Sequence, residues 1–301
     1  WTCDLRDPGL RRLVRLSGWA LLYVVVNQLG LLVVIVLAAS VQGGYTAYTA
    51  AFIFFQLPYA IFAVSIMTAL LPSLSGLWAG GERDSFRVQL AQGVRGTAFI
   101  VVPAALGYVA LAVPIVRLLL QHGVMQARST ELVAGVLQVF SVGLFSFSAF
   151  QVFLRAFYAM QDTRTPALIN VVAVAINTLV NLLYFRYLRV EGLALGHATA
   201  YTFAAITSAV ILRRRMGGFE GRRLGVALGQ VAVGGIAAGA AAWLVARAVE
   251  ATLGNVSLAA QLTQVIGGIA GGLGAFVAVA LAFRMQELVL LRNLVLARLR
   301  R

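Results

Sequence analysis

"AFYAMQDTRTP" (residues 156–166) sets Gln161, Asp162 and Arg164 between two long apolar runs. Either these polar residues form a site of chemistry, or they mark the point where one buried helix stops and another starts. The flanks favour the second reading. Beyond Pro166 the chain stays apolar to Tyr187, about the 20 residues that a helix needs to cross a bilayer. Thr165 suits an N-cap, Pro166 suits the first helical turn, and Asp162 can accept from backbone donors in a turn. Arg155, a turn or more behind, is a ready partner for Asp162. The stretch predicts a capped helix-to-helix corner, with a gate that touches substrate as the alternative.

Composition extends that reading to the whole chain. It is 61% hydrophobic, only 11% charged, and has a mean hydropathy of +0.90, whereas a soluble domain carries about 25% charged residues. Apolar runs of spanning length recur at 16–40, 46–71, 96–119, 131–158, 166–187, 192–212, 224–249 and 259–283. The fold class is therefore an all-α polytopic membrane protein with about eight transmembrane helices. The net charge is +14, with every basic residue an Arg. These fall at the ends of apolar runs rather than in one patch interleaved with aromatics, which argues against nucleic acid. The single Cys3 excludes an intrachain disulfide and argues against a Cys-based metal site. The chain opens on Trp1, and "WTCDLRDPGLRRLVRL" (1–16) reads as a polar linker internal to a longer protein.

Arg placement predicts orientation. The segment before the first span, the connections after the second, fourth and sixth, and the tail together hold 19 of the 24 Arg. The positive-inside rule puts both chain ends, and the polar corner, in the cytoplasm. "RDSFRVQLAQGVR" (83–95) has apolar residues at helical spacing and predicts a short interfacial helix feeding the third span, with a partner-docking helix as the alternative. "QELVLLRNLVLARLRR" (286–301) predicts an amphipathic tail along the membrane surface.

Inside the spans the sequence places no Asp, Glu or Lys at mid-depth, and no nucleophile paired with a base. This weakens an enzyme reading and any scheme in which this chain alone carries a coupling proton. His122 falls in a predicted loop. His197 falls within the sixth span, where a lone His is more often packed than catalytic. Neutral amides stand out instead. Asn170, Asn177 and Asn181 share one face of the fifth span. Asn27 and Gln28 lie in the first span, Gln56 beside Pro58 in the second, and Gln151 in the fourth. Two readings compete: interhelical hydrogen bonds, or the lining of a substrate path or cation site. Pro58, Pro103 and Pro114 mark candidate bends, static or gating. Gly267 and Gly271, then Gly268 and Gly272, allow either tight packing of the last two spans or a groove for a lipid chain.

"FQLPYAIFAVSIMTALLPSLS" (55–75), "VVPAALGYVALAVPIVRLLLQHG" (101–123) and "QVFLRAFYAMQDTRTP" (151–166) resemble, in order and spacing, the MviN/MurJ family of lipid II flippases. That family lies within the multidrug/oligosaccharidyl-lipid/polysaccharide exporter superfamily. The opening "DLRDPGLRRLVRLSGWALL" (4–22) is similar to the family's link into its second lobe. The resemblance covers essentially the whole chain, and the C-terminal part of the family's fourteen-helix plan.

It implies a transporter of the bacterial cytoplasmic membrane. Its substrate would be lipid II or a similar undecaprenyl-diphosphate glycolipid, moved between leaflets by alternating access through a cationic cavity between two lobes. In that plan 1–15 is a cytoplasmic linker, 16–212 the six-helix C-terminal lobe, and 213–223 a basic cytoplasmic loop. Residues 224–283 are a two-helix groove pair for the lipid tail, and 284–301 the basic tail; a six-helix N-terminal lobe is missing from this chain. Ile53 stands where many members carry a cavity Arg, and Gln56 replaces a common acidic residue, so diphosphate recognition would fall mainly to the missing lobe. Some relatives hold sodium among helices equivalent to the first, fifth and sixth spans. Asn27, Asn177, Asn181 and Thr199 fall near those positions, without the carboxylate that a buried cation wants. No cofactor is expected beyond sodium or membrane-potential coupling. The alternatives are a flippase for another lipid-linked glycan, a membrane scaffold for cell-wall enzymes, and a drug/cation antiporter.

Overall fold

The computed structural model describes residues 8–121, 127–218 and 221–288. Its elements are α1 (Pro8–Ala39), α2 (Gly44–Pro58), a π-helical turn (Tyr59–Ala63), α3 (Val64–Ala79), α4 (Arg83–Leu120), α5 (Ala127–Val142), α6 (Leu144–Ala159), α7 (Arg164–Arg215), α8 (Gly221–Leu253) and α9 (Leu258–Ala282). Helices α1, α4, α7, α8 and α9 are each long and apolar enough to cross a membrane, and α2 with α3 and α5 with α6 do so as pairs bent by 46° and 48°.

Helix α7 holds 52 residues. At 1.5 Å per residue it would reach about 78 Å, more than twice a hydrocarbon core of about 30 Å. It does not run straight. Arg189 has φ 49 and ψ −124, the backbone of the first corner residue in a type II′ turn, and the chain doubles back there. A Cβ placed on Gly192 would lie 3.0 Å from the Tyr184 carbonyl, and one on Gly196 would meet Asn181 and Asn177. The two halves are antiparallel passes, so the described residues make eight, the number that the apolar runs predict.

In lipid, association rests on shape and small residues rather than on expulsion of water. Gly30 lets α1 lie against Val174 of α7, where an added Cβ would be 2.8 Å from a Val methyl. Gly143, at the break between α5 and α6, meets the Ala198 Cα at 2.6 Å by the same measure. Gly268 and Gly272 of α9 face the Ala242 and Ala238 carbonyls of α8, while Gly235 and Gly239 of α8 face Leu106 of α4. The small residues of the last two helices thus serve close packing. Phe86 and Leu90 of α4 share a buried cluster with Leu74, Phe150 and Phe157.

That burial changes one expectation. The segment 83–95 is not a separate interfacial helix but the opening of α4, with its apolar face docked on α3 and α6. Pro103 and Pro114, expected to mark bends, both lie within a helix that continues past them; membrane helices tolerate proline where neighbours surround the freed groups. Pro58 is different, because the π-turn follows it directly. Residues 1–7 of the linker, His122 and residues 289–301 of the tail lie outside the described residues.

Four helix ends share one cap. Gly81, Gln161, Gly217 and Arg284 each have positive φ. In each, the next N–H bonds back five residues and the capping residue's own N–H bonds within that loop, the Schellman pattern. In "AFYAMQDTRTP" the Asp162 N–H donates to the Phe157 carbonyl and the Gln161 N–H to Tyr158, both at 2.9 Å. The corner is capped as expected, with different partners. Asp162 Oδ1, not Thr165, accepts the helix-starting N–H, which is that of Thr165 at 2.9 Å. Its charge partner is Arg215 at 2.5 Å rather than Arg155, because the return pass of α7 ends beside this corner. Arg215 also donates to Thr165 Oγ1 at 2.8 Å. Arg95 and Glu287 likewise join α4 to the segment that follows α9, at 3.4 Å.

Burial works to raise the Asp162 pKa, but the Thr165 bonds and then Arg215 outweigh it and hold the carboxyl below its usual range. A depressed carboxylate contributes stability above the unfolded value near 3.8 and loses it as pH falls through the lower folded value. Thermal scans in detergent should show a midpoint that drops across this acid window, and Asp162→Asn should flatten the drop. At neutral pH that variant should cost on the order of 0.5–1 kcal/mol, a solvent-screened pair's worth.

Candidate functional site

The reversal of α7 and its close crossing with α1 leave a cavity of about 190 Å³ between α1, α2 and both passes of α7. At about 30 Å³ per molecule this is room for some six waters. Asn27, Gln28, Asn170, Asn177 and His197 supply its polar groups, with Tyr48, Phe52 and Tyr201 among the rings around them.

Two of these amides are tied to one carbonyl of α1, and one of them links α7 to α1. The Asn27 Nδ2 donates to the Tyr23 carbonyl of its own helix at 2.7 Å, and Asn170 Nδ2 reaches the same carbonyl from α7 at 3.4 Å. Asn177 and Asn181 differ. Their Oδ1 atoms are buried with no hydrogen-bond partner among the described residues. Both press on Gly196, where an added Cβ would lie 2.9 Å and 2.0 Å from them. Only glycine leaves space for both carboxamides. His197 follows at once in sequence, and its buried ring sits among Phe52, Phe55, Phe140, Phe147 and Tyr201 with centroids 4.5 to 5.7 Å away. Its Nε2 also lacks a partner among the described residues.

Two partnerless amide oxygens and the unpartnered Nε2 of His197 thus sit in or beside one cavity. A buried acceptor without a donor costs about 1–3 kcal/mol, so the arrangement favours a ligand or water that donates. Hydroxyl groups meet that need. A resident sodium ion fits poorly, because no carboxylate lines the cavity and the cation's charge would stay uncompensated. Thr199, grouped with Asn27, Asn177 and Asn181 as a candidate cation set, is exposed and donates to the Leu195 carbonyl at 2.9 Å. Two residues on from His197, it lies about 200° round the helix and faces away.

The structure does not bring all the predicted amides together. Asn27, Gln28, Asn170 and Asn177 line the cavity and Asn181 lies against it, but Gln56 and Gln151 are half-buried elsewhere. The aromatic ring around His197 is an addition to the sequence reading. So is Gln264 of α9, whose Nε2 donates to the Ala246 carbonyl of α8 at 3.1 Å. The spacing of Tyr48, Phe52, Phe55 and Tyr59 along one helical face is the signal that marks the inner side of α2.

Long apolar helices packed by small residues, with an amide-lined cavity between α1, α2 and α7, define a polytopic α-helical membrane protein. The model of the family "Lipid II flippase MurJ" matches residues 1–264, and the chain belongs to that family. Among curated relatives, "Probable lipid II flippase MurJ" of Haemophilus influenzae is 31% identical over 251 residues, covering 79% of this chain and 48% of the relative. "Lipid II flippase MurJ" of Burkholderia cenocepacia is 27% identical over 212 residues, covering 70% and 41%. A solved structure described as "Lipid II flippase MurJ, inward closed conformation" superposes with a TM-score of 0.72 at 18% identity, covering 94% of this chain and 57% of that one. It shares the fold. The chain spans less than half the length of these two curated relatives.

Gly196→Ala should force both carboxamides out of place, an overpacking cost of about 1–3 kcal/mol. Gly229→Ala is the control, since nothing lies within 4 Å of its added Cβ. Thermal midpoints should fall for the first variant and hold or rise for the second.

Proposed function

We propose that this chain is the C-terminal lobe and groove pair of a lipid II flippase. Residues 16–212 form the lobe and 224–283 the pair that holds the undecaprenyl tail. The observation that carries the reading is the cluster of buried polar atoms without a partner among the described residues, the Oδ1 atoms of Asn177 and Asn181 with Nε2 of His197, in a chain of this family. A disaccharide headgroup carries many hydroxyl donors and would be bound without net charge. Asn27, Gln28 and Asn170 complete the polar side of the path. Ile53 and Gln56 bring no positive charge, so the diphosphate would be met by a second, N-terminal lobe.

The work is done by rocking one lobe against the other, with no covalent step. The tight contacts at Gly30 and Gly143 let the lobe move as one body. Orientation follows from charge. The Schellman-capped ends join through Asp162–Arg215 and Arg95–Glu287, and this Arg-rich rim faces the cytoplasm with both chain ends. The opposite rim, where Arg117 and Arg247 meet Glu250, faces outward. The membrane is the bacterial cytoplasmic membrane, and the membrane potential is the driving force most compatible with a cavity that lacks carboxylates.

The test is complementation of a strain depleted of its own lipid II flippase by the gene that carries this chain. Asn177→Ala with Asn181→Ala should reduce flipping by about tenfold or more, the effect of losing two ligand hydrogen bonds, with lipid II accumulating in the cells. Full complementation by that variant would remove these amides from the path. Accumulation of a different lipid-linked glycan would redirect the substrate assignment.

A further inference from the structure

The second half of α6 is buried except along one line. Phe153, Ala156 and Phe157 are buried, whereas Gln151, Arg155 and Tyr158 are half-buried. Ser148 continues the line at 0% exposure, and its Oγ has no hydrogen-bond partner among the described residues. At about 100° per residue the four lie within about 80° of the helix circumference. Arg155 is the charge on this line. One turn inside the end of α6, it sits where a cation is costly unless an opposite charge meets it. Arg87, Arg95, Arg117, Arg215 and Arg247 each pair with an Asp or Glu. Arg155 pairs with neither among the described residues.

Its neighbours are phenols instead. Tyr23, Tyr59 and Tyr158 all lie within electrostatic range of the guanidinium. Tyr23 of α1 and Tyr59 of the π-turn pack on the same buried cluster as Phe153 and Phe157, so donors from three elements converge on Arg155. A phenol donates a hydrogen bond and carries no charge at neutral pH. The group therefore offers several donors but a single positive charge. A carboxylate matches that charge, and its two coplanar oxygens match the planar guanidinium fork. A diphosphate carries two or more negative charges and would stay partly uncompensated. The group also adjoins the amide cavity. The Tyr23 carbonyl accepts from Asn27 and Asn170, and Tyr201, which lines that cavity, is within electrostatic range of Tyr23. A headgroup whose hydroxyls meet the amides would have Arg155 beside it, on the side of the corner at 156–166.

We propose that Arg155, with Tyr23, Tyr59 and Tyr158, binds a peptide carboxylate of the transported glycolipid. Lipid II carries a peptide on its disaccharide, so this site would select peptide-bearing precursors over lipid-linked glycans that have none. The inference rests on the transport reading above and assigns a part of the substrate that the amides and the second lobe leave unmet.

The experiment takes the protein that carries this chain, purified in detergent, and counts retained ligand by native mass spectrometry. Three probes are compared: lipid II, lipid II with its peptide carboxylates converted to primary amides, and undecaprenyl diphosphate. Lipid II should be retained about tenfold over its amidated form, the worth of one charged hydrogen bond. Arg155→Gln should remove that difference and leave undecaprenyl diphosphate binding unchanged. Tyr23→Phe with Tyr59→Phe keeps the rings, should narrow the difference, and keeps the test decisive if the arginine variant misfolds. Equal retention of the two forms by the unaltered protein, or a difference that survives Arg155→Gln, overturns the carboxylate site and leaves the transport reading standing. Loss of undecaprenyl diphosphate as strong as that of lipid II in Arg155→Gln gives the cation to the diphosphate and overturns the proposal too. Failure of the unaltered protein to retain either form of lipid II overturns the transport reading, and the inference with it.

Discussion

The reversal of α7 at Arg189 is the constraint on which the other parts depend. A membrane tolerates no unpaired backbone in its core, so a chain can turn only at a rim, and here it turns within a single left-handed residue. The tightness has consequences down both passes. Gly192 comes against Tyr184, and Gly196 against Asn177 and Asn181. One turn later Ala198 meets Gly143, and Thr202 Oγ1 donates to Ser146 Oγ at 3.0 Å, which seats α5 and α6. At the far end Arg215 arrives beside Asp162 and closes the corner at which the hairpin began. A looser turn would shift each of these contacts in register.

Much of this was legible in the sequence. Span number follows from apolar run length, and the polar break between residues 187 and 192 already separates the fifth and sixth passes. The corner at "AFYAMQDTRTP" is legible because Asp, Thr and Pro have local jobs at helix ends. The failures are of another kind. Asp162 pairs with a residue 53 positions away, and local spacing offers only Arg155. The segment 83–95 looks interfacial because an amphipathic face reads alike whether it meets headgroups or the flank of α3 and α6. Thr199 could have been set aside from periodicity alone, since it cannot share a face with His197.

The site shows the same division. The amides in the fifth span lie on one face by spacing, and that face does point inward. Which of them are structural ties and which keep a spare acceptor depends on partners that only the fold supplies. Tyr23 occupies Asn170 and Asn27, while Gly196 leaves Asn177 and Asn181 their oxygens. The result is a cavity with hydrogen-bonding capacity and no formal charge, set inside a chain whose Arg residues gather at one rim. Uncharged polar groups within the helices and Arg side chains at their ends are thus kept in separate places.

Topology at three positions tests the central claim most directly. Single cysteines at Gln161, Arg189 and Gly217, in a Cys3→Ser background, are treated in intact cells with a membrane-impermeant thiol reagent. A folded-back α7 predicts that Arg189→Cys labels from outside, while Gln161→Cys and Gly217→Cys label only after the membrane is opened. Labelling of Gln161→Cys and Gly217→Cys from opposite sides would mean that α7 crosses once, and would contradict the hairpin and the cavity built on it.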